Sequence, residues 1–430
     1  MNVRETKLEN GLRIVSAKLA DARSLTVNIV VGTGSRYEDY SVNGGVSHFL
    51  EHLLFKGSKK YPTSEEIAEA VDAVGGYNNA YTGEDVTSFY IKVPEQHGEL
   101  AVDILCDMIK SPLLDEEELD RERGVIVEEM NVFRDDPPRF IGTLIPELIF
   151  PNNPLGRDII GDERVINTIS RDAIRRYLHE FYRPNNLVVA AAGAVDHDKL
   201  VEQVRAALGD MKPADRPAFK PVGPELDRRL AVSHSKATAQ AHFMVASRAY
   251  SYDDPDEPAS RIVAAILGRG MSSRLFINVR ERQGLAYTVF AEVNSYTDTG
   301  MFETYAGVNL EKTEQALDSV LHELELIRRE PVKESELRKA KQQLRAGLEM
   351  SLENNANVAD RIGLQTILLG RVKSIDEMIR AIELVTIEDV QRVAKEMLAP
   401  DRLRFAIITP EPDGVVNHFK DVVTVKEKSR

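Results

Sequence analysis

Five consecutive residues hold the clearest chemistry in the chain: His48-Phe49-Leu50-Glu51-His52. On a helix, residues four apart lie on one face a turn apart, so His48 and His52 can grip one ion. Glu51, three residues after His48, projects on the same side. Phe49, Leu50, Leu53 and Leu54 supply an apolar back for packing. A zinc hydrolase needs protein ligands, an open position for water and a carboxylate to take that water's proton. The pentapeptide has two nitrogen ligands and the base, in the inverted order of the commoner H-E-x-x-H.

A third ligand is sought in the acidic stretch Glu122-Arg123-Gly124-Val125-Ile126-Val127-Glu128-Glu129. Glu128 and Glu129 compete. The residues three and four before Glu129 are Ile126 and Val125, both apolar, so its face is expected to point inward. For Glu128 they are Val125 and Gly124, with Arg121 on the same stripe. This favours Glu129. Glu122 lies seven residues earlier, about 20° off the same line. Carboxylates on an inward stripe are costly unless a positive charge faces them, and Zn2+ would remove that cost. The expected set is His48, His52 and Glu129 as ligands to one Zn2+ per chain. Glu51 is then the base, and Glu122 a carboxylate beside the ligands.

The elements that must position these groups follow from pattern. Strands are expected near 12–15 and 25–31, and a helix over 46–55 carries the pentapeptide. Thr63 and Glu66 form a capping-box signature for a helix that Gly75-Gly76 stops. Strands near 77–82 and 86–93 follow, then a helix over 95–109. Asp115 caps the long acidic helix, which runs to about 133. Pro213, Pro217, Pro221, Gly223 and Pro224 crowd into 211–224, which reads as a semi-rigid extended linker.

The two sides of that linker look alike. Thr168-Ile169-Ser170-Arg171-Asp172, a helix, Arg183-Pro184-Asn185 and an apolar strand recur as Thr386-Ile387-Glu388-Asp389, a helix, Ala399-Pro400-Asp401 and a strand. Thr87–Ile91 matches residues 300–304 at nearly the same offset. A duplicated unit follows. The expected fold is α+β, with two homologous halves, each an antiparallel-rich sheet with helices packed on one face. The expected domains are 1–210 with the metal, the linker 211–224, and 225–430.

Composition narrows the setting. A charged fraction of 29 % and a hydrophobic fraction of 43 % are those of a globular chain. A net charge of −14 argues against a nucleic-acid surface. No run approaches the roughly 18 apolar residues that span a bilayer. The first seven residues lack the apolar core of a signal peptide. A cytoplasmic location is therefore expected. The single cysteine, Cys106, reads as a small core residue.

On these residues the chain resembles the inverzincin zinc metallopeptidases, the family of pitrilysin, insulin-degrading enzyme and the mitochondrial processing peptidase. Glu129 follows His52 by 77 residues, with Glu122 seven earlier. Gly75-Gly76-Tyr77-Asn78-Asn79-Ala80-Tyr81-Thr82 resembles the family's edge strand, to which substrate adds as a further strand. This implies Asn79, Ala80 and Thr82 as peptide contacts. Arg280-Glu281-Arg282-Gln283-Gly284-Leu285-Ala286-Tyr287 resembles the element whose Arg and Tyr reach substrate near the metal. This implies substrate-binding and catalytic roles for Arg280 and Tyr287. Both are donors, and donors aimed at a developing oxyanion are what peptide hydrolysis requires.

The resemblance implies a zinc-dependent endopeptidase that acts on short or unfolded peptides. A subunit that keeps the fold but only binds peptide, or only builds structure, is the alternative. The chain is most like the short bacterial members, which hold two of the four units of the family's clamshell. That implies a homodimer, or else a heterodimer with an inactive homologue.

Overall fold

The computed structural model describes residues 2–428. Met1 and the last two residues, which the expected domain ranges include, lie outside the described residues. Two sheets organise the chain. The first has β1 (Val3–Lys7), β2 (Arg13–Lys18), β3 (Ser24–Val31), β4 (Tyr77–Thr82), β5 (Thr87–Pro94) and β6 (Leu187–Gly193), in the order β1-β2-β6-β3-β5-β4. The second has β7 (Ala231–Ser235), β8 (Gln240–Ala249), β9 (Ala286–Ser295), β10 (Gly300–Asn309) and β11 (Arg404–Thr409), in the order β7-β11-β8-β10-β9.

Superposed by order, β2, β6, β3, β5 and β4 correspond to β7, β11, β8, β10 and β9. Among the described residues, only β2–β6 and β7–β11 pair parallel; every other pairing is antiparallel. The repeat read from sequence is thus a repeat of topology. Ser170 caps helix Arg171–Phe181 and Thr386 caps helix Ile387–Met397. Each helix is followed by a proline turn and a fully buried apolar strand, β6 or β11. The complete capping box is at Thr386, whose hydroxyl and backbone exchange bonds with Asp389. At Thr63 the structure has the half in which its hydroxyl accepts from Glu66 N–H.

The expectation of two contiguous domains is corrected. The first compact unit is Met1–Asn131, Arg157–Lys220 and Glu349–Lys373; the second is Val132–Gly156, Pro221–Leu348 and Ser374–Arg430. Helices do gather on one face of each sheet, as expected, but the opposite face is covered too, by a segment from the other half of the sequence. In the first unit, helix Asn355–Leu369 lays Val358, Ala359 and Ile362 on Val15, Val30, Val188 and Ala190. Gly363 permits the close approach: a methyl built there would stand 2.8 Å from Val30 Cγ2 and 3.2 Å from Ala190 Cβ. In the second unit, Ile141 of helix Pro137–Leu144, Leu148 of helix Pro146–Ile149 and Ile145 between them pack on Met244, Ala246 and Ile408.

The reason is the apolar content of the strands. β6 is buried at every position, so neither face of its sheet can be left to water. Residues 211–224 form neither helix nor strand, and the change of unit falls at 220/221 within them. Among the described residues, no helix is long and apolar enough to cross a membrane.

Candidate metal centre

The pentapeptide lies on helix Val46–Leu54, whose Phe49, Leu50, Leu53 and Leu54 are buried. Gly45 turns the chain into that helix at φ +91°, and a Cβ there would stand 2.5 Å from Ile160 O. The buried Glu38 carboxylate accepts from Gly45 N–H at 2.6 Å and Ser47 N–H at 2.8 Å. It thereby satisfies two of the helix's free amides. Burial pushes Glu38 up to about 7, against those hydrogen bonds. The face that carries His48, Glu51 and His52 is left open to other groups.

Helix Glu116–Asp135 supplies the acidic partners, and Asp115 caps it through the amides of Glu117 and Glu118. Its buried stripe is Leu119, Glu122, Ile126 and Met130. Val125 is 48 % exposed, which corrects the expectation that it points inward. Glu129 therefore sits at the border between a buried and an open stripe. That is where a ligand belongs if it faces a site water can enter.

His48, His52 and Glu129 each present a ligand atom, all within 4.8 Å of one another. His48 Nε2 and His52 Nε2 lie 3.8 and 3.6 Å from Glu129 Oε2. Those spacings are too long for hydrogen bonds. They approach the roughly 3.3 Å between ligands held tetrahedrally at ~2.0–2.1 Å from one zinc ion. Two imidazole nitrogens and one carboxylate oxygen are also a zinc-type donor set, so the residues fit the metal.

The surroundings prepare both histidines. Burial, then neighbouring His52, brings His48 down to about 3, which keeps its ring neutral. His52 Nδ1–H donates to Glu122 Oε2 at 2.9 Å, which turns Nε2 towards Glu129. Burial opposes a charge on His52, but Glu122, through that bond and its charge, outweighs it and raises the pKa. Lys56 Nζ donates to the other Glu122 oxygen at 2.7 Å. Burial of Glu122 works against its charge, yet His52 and Lys56 hold its pKa below the usual range. Glu51 is pushed up, chiefly by burial, and its Oε2 accepts from Thr82 Oγ1 at 2.6 Å.

Thr82 ends β4, an edge strand paired only with β5. Asn79 is exposed, and Ala80 is half-buried. Asn79 Oδ1 accepts from Ala80 N–H at 2.9 Å. The first unit thus brings together His48, Glu51, His52, Glu122, Glu129 and Thr82. Arg280 and Tyr287 belong to the second unit. Arg280 lies in the π-helical segment Phe276–Arg282, its guanidinium 4.8 Å from the Phe276 ring. Tyr287, on β9, is 61 % exposed.

Sequence reasoning missed Glu38, Lys56 and the bond from Thr82 to Glu51. Lys56 had a signal: it extends the spacing of four that links His48 and His52. Glu38 had none.

Comparisons with known proteins follow the same lines. The model described as "Insulinase (Peptidase family M16)" matches residues 13–163, and "Peptidase M16 inactive domain" matches 168–344. A Streptomyces coelicolor protein described as an uncharacterized zinc protease is 37 % identical over 427 residues, covering 98 % of this chain and 92 % of that protein. A Bacillus subtilis protein of the same description is 33 % identical over 402 residues, covering 94 % and 97 %. Among solved structures, a protease from Helicobacter pylori aligns with a TM-score of 0.88 at 23 % identity, covering 95 % of this chain and 99 % of that one. A Pseudomonas fluorescens structure described as a peptidase M16 inactive domain aligns at 0.86 and 19 % identity, covering 96 % and 99 %.

Proposed function

The chain belongs to peptidase family M16, and from that premise we propose that it is a zinc-dependent endopeptidase of short or unfolded peptides. The observation that supports this most is the placement of a carboxylate base, Glu51, on the helix face that carries two of three convergent metal donors. His48 Nε2, His52 Nε2 and Glu129 Oε2 would hold Zn2+. When bound, zinc acidifies water and polarises a carbonyl.

The chain's own groups do the rest. Thr82 keeps one Glu51 oxygen occupied. The other takes a proton from the attacking water and delivers it to the leaving amine nitrogen as the peptide C–N bond breaks. Glu122 and Lys56 keep the His52 ring in one orientation. Arg280 and Tyr287 donate to the oxyanion that forms on the carbonyl. An extended substrate backbone adds to the free edge of β4, which excludes folded proteins. Asn79, Ala80 and Thr82 contact it there.

The chain works in the cytoplasm as a homodimer. In sedimentation, a species of about twice 48.1 kDa is expected.

The test is hydrolysis of an internally quenched peptide library with and without chelator. Cleavage that chelator abolishes and zinc restores is the expected result. Cleavage in a Glu51→Gln variant at the wild-type rate would refute the assignment of the base.

A further inference from the structure

Edge strand β4 is hydrogen-bonded to one neighbour only, yet side chains tether it on both faces. Successive strand residues point to opposite sides. Thr82 reaches the Glu51 carboxylate on one side. On the other, the Tyr81 hydroxyl donates to Asp360 Oδ1 at 2.7 Å. Asp360 stands on helix Asn355–Leu369, 279 residues further along the chain. The same oxygen accepts from Asn28 Nδ2 at 3.3 Å. Asn28 Oδ1 accepts in turn from Ser88 Oγ at 2.8 Å, and Ser88 is the cross-strand partner of Tyr81. One carboxylate thus joins β4, β3 and, through Asn28, β5 beneath the sheet.

The helix that presents Asp360 is itself fixed. Asn355 Oδ1 accepts from Thr26 Oγ1 at 3.1 Å, and its amide donates to Ser24 O and Oγ at 3.1 and 2.8 Å. Arg13 holds the carbonyls of Thr366 and Gly370, each at 2.8 Å. Gly363 seats the helix against Val30 and Ala190. Asp360 is therefore held at a set height under β4. Residues 355–369 lie beyond both ranges matched by the family models.

A strand bonded along one edge opens locally more readily than a central one. If it must also receive a peptide, any disorder in it has to be removed at binding, which weakens affinity. We propose that Asp360, through Tyr81, is a positioning residue that keeps β4 ordered for peptide addition. The role of β4 in taking peptide rests on the endopeptidase reading; the tether itself does not.

The experiment combines hydrogen–deuterium exchange of the β4 amides, measured without peptide, with kinetics on an extended quenched peptide. Tyr81→Phe removes only the hydroxyl. Asp360→Ala removes the acceptor, and Asp360→Asn keeps an oxygen in its place. Tyr81→Phe should speed exchange over 77–82 and raise KM roughly threefold to tenfold, the size of one lost hydrogen bond, and Asp360→Ala, which also loses the bond from Asn28, should do so at least as much. Zinc content and kcat should stay within about twofold of wild type, and Asp360→Asn should behave as wild type. The double variant should be no worse than Asp360→Ala alone. Unchanged exchange and KM in both single variants would overturn the proposal, as would additive losses in the double variant. Absence of hydrolysis by the wild type would sink the peptidase reading, while the exchange measurement would still decide the tether.

Discussion

Replacing Thr82 by Val removes one hydroxyl and nearly nothing else. The hydroxyl lies 2.6 Å from Glu51 Oε2, on a half-buried carboxylate. A hydrogen bond to a charged acceptor contributes about 1.5–3 kcal/mol, roughly a factor of 10 to 100 in an equilibrium or rate. Without it the carboxylate can turn about its Cγ–Cδ bond, and the oxygen that faces water is no longer singled out. We expect kcat to fall about 10- to 100-fold, with zinc content unchanged, because Thr82 touches none of the three ligand atoms. KM should change by less than about threefold, since a side-chain substitution leaves the backbone edge of β4 intact. Thr82→Ser, which restores the donor, should recover activity to within about threefold of wild type. Stopped-flow or steady-state cleavage of a quenched peptide, alongside metal analysis, reads all three. A Thr82→Val variant with wild-type kcat would refute the reasoning that this bond sets the base.

Other outcomes follow from the same geometry. Glu129→Gln should lower zinc occupancy measured by atomic absorption, and Glu128→Gln should not; the reverse would show the helix face misread by one position. Glu122→Gln should weaken zinc affinity about 10- to 100-fold in a competition titration, because a neutral amide holds the His52 ring less firmly than the charged carboxylate and leaves it a weaker donor. Glu38 ionises in the fold only near pH 7 but at its ordinary value when unfolded, so the stability it contributes is full at low pH and is lost as pH rises through about 7. Glu38→Gln should therefore gain stability relative to wild type between about pH 5 and about pH 8, by up to ~3 kcal/mol in denaturant melts. A difference that stays flat across that range would contradict the raised pKa.

What could be read from sequence was local. The metal helix, its apolar back, the Asp115 cap, the paired helix–proline–strand units and the edge strand all depend on residues within a few positions of one another. Helical periodicity pointed to Glu129 over Glu128 but misplaced Val125. Angular spacing tells which residues share a stripe, not which side of the stripe meets solvent. Glu38, which caps the metal helix, is seven and nine residues from the amides it satisfies and follows no capping spacing. The tether from Tyr81 to Asp360 spans most of the chain. The sequence break at 211–224 marked one crossing between units. The two exchanged segments have no compositional mark, because a helix that covers a sheet from afar has the same amphipathic pattern as one nearby.

That exchange has a consequence for synthesis. The metal donors and all six strands of the first sheet have been made once Gly193 is complete. The helix that closes the back of that sheet ends at Leu369. At ~5–20 residues per second, roughly 180 residues of translation, or about 10–35 s, separate the two events. During that interval Val15, Val30, Val188 and Ala190 have no cover, and Tyr81 has no Asp360 to bind. The nascent amino-terminal half holds its three convergent metal donors before β4 is anchored. The first unit thus reaches its final form only when most of the chain has left the ribosome.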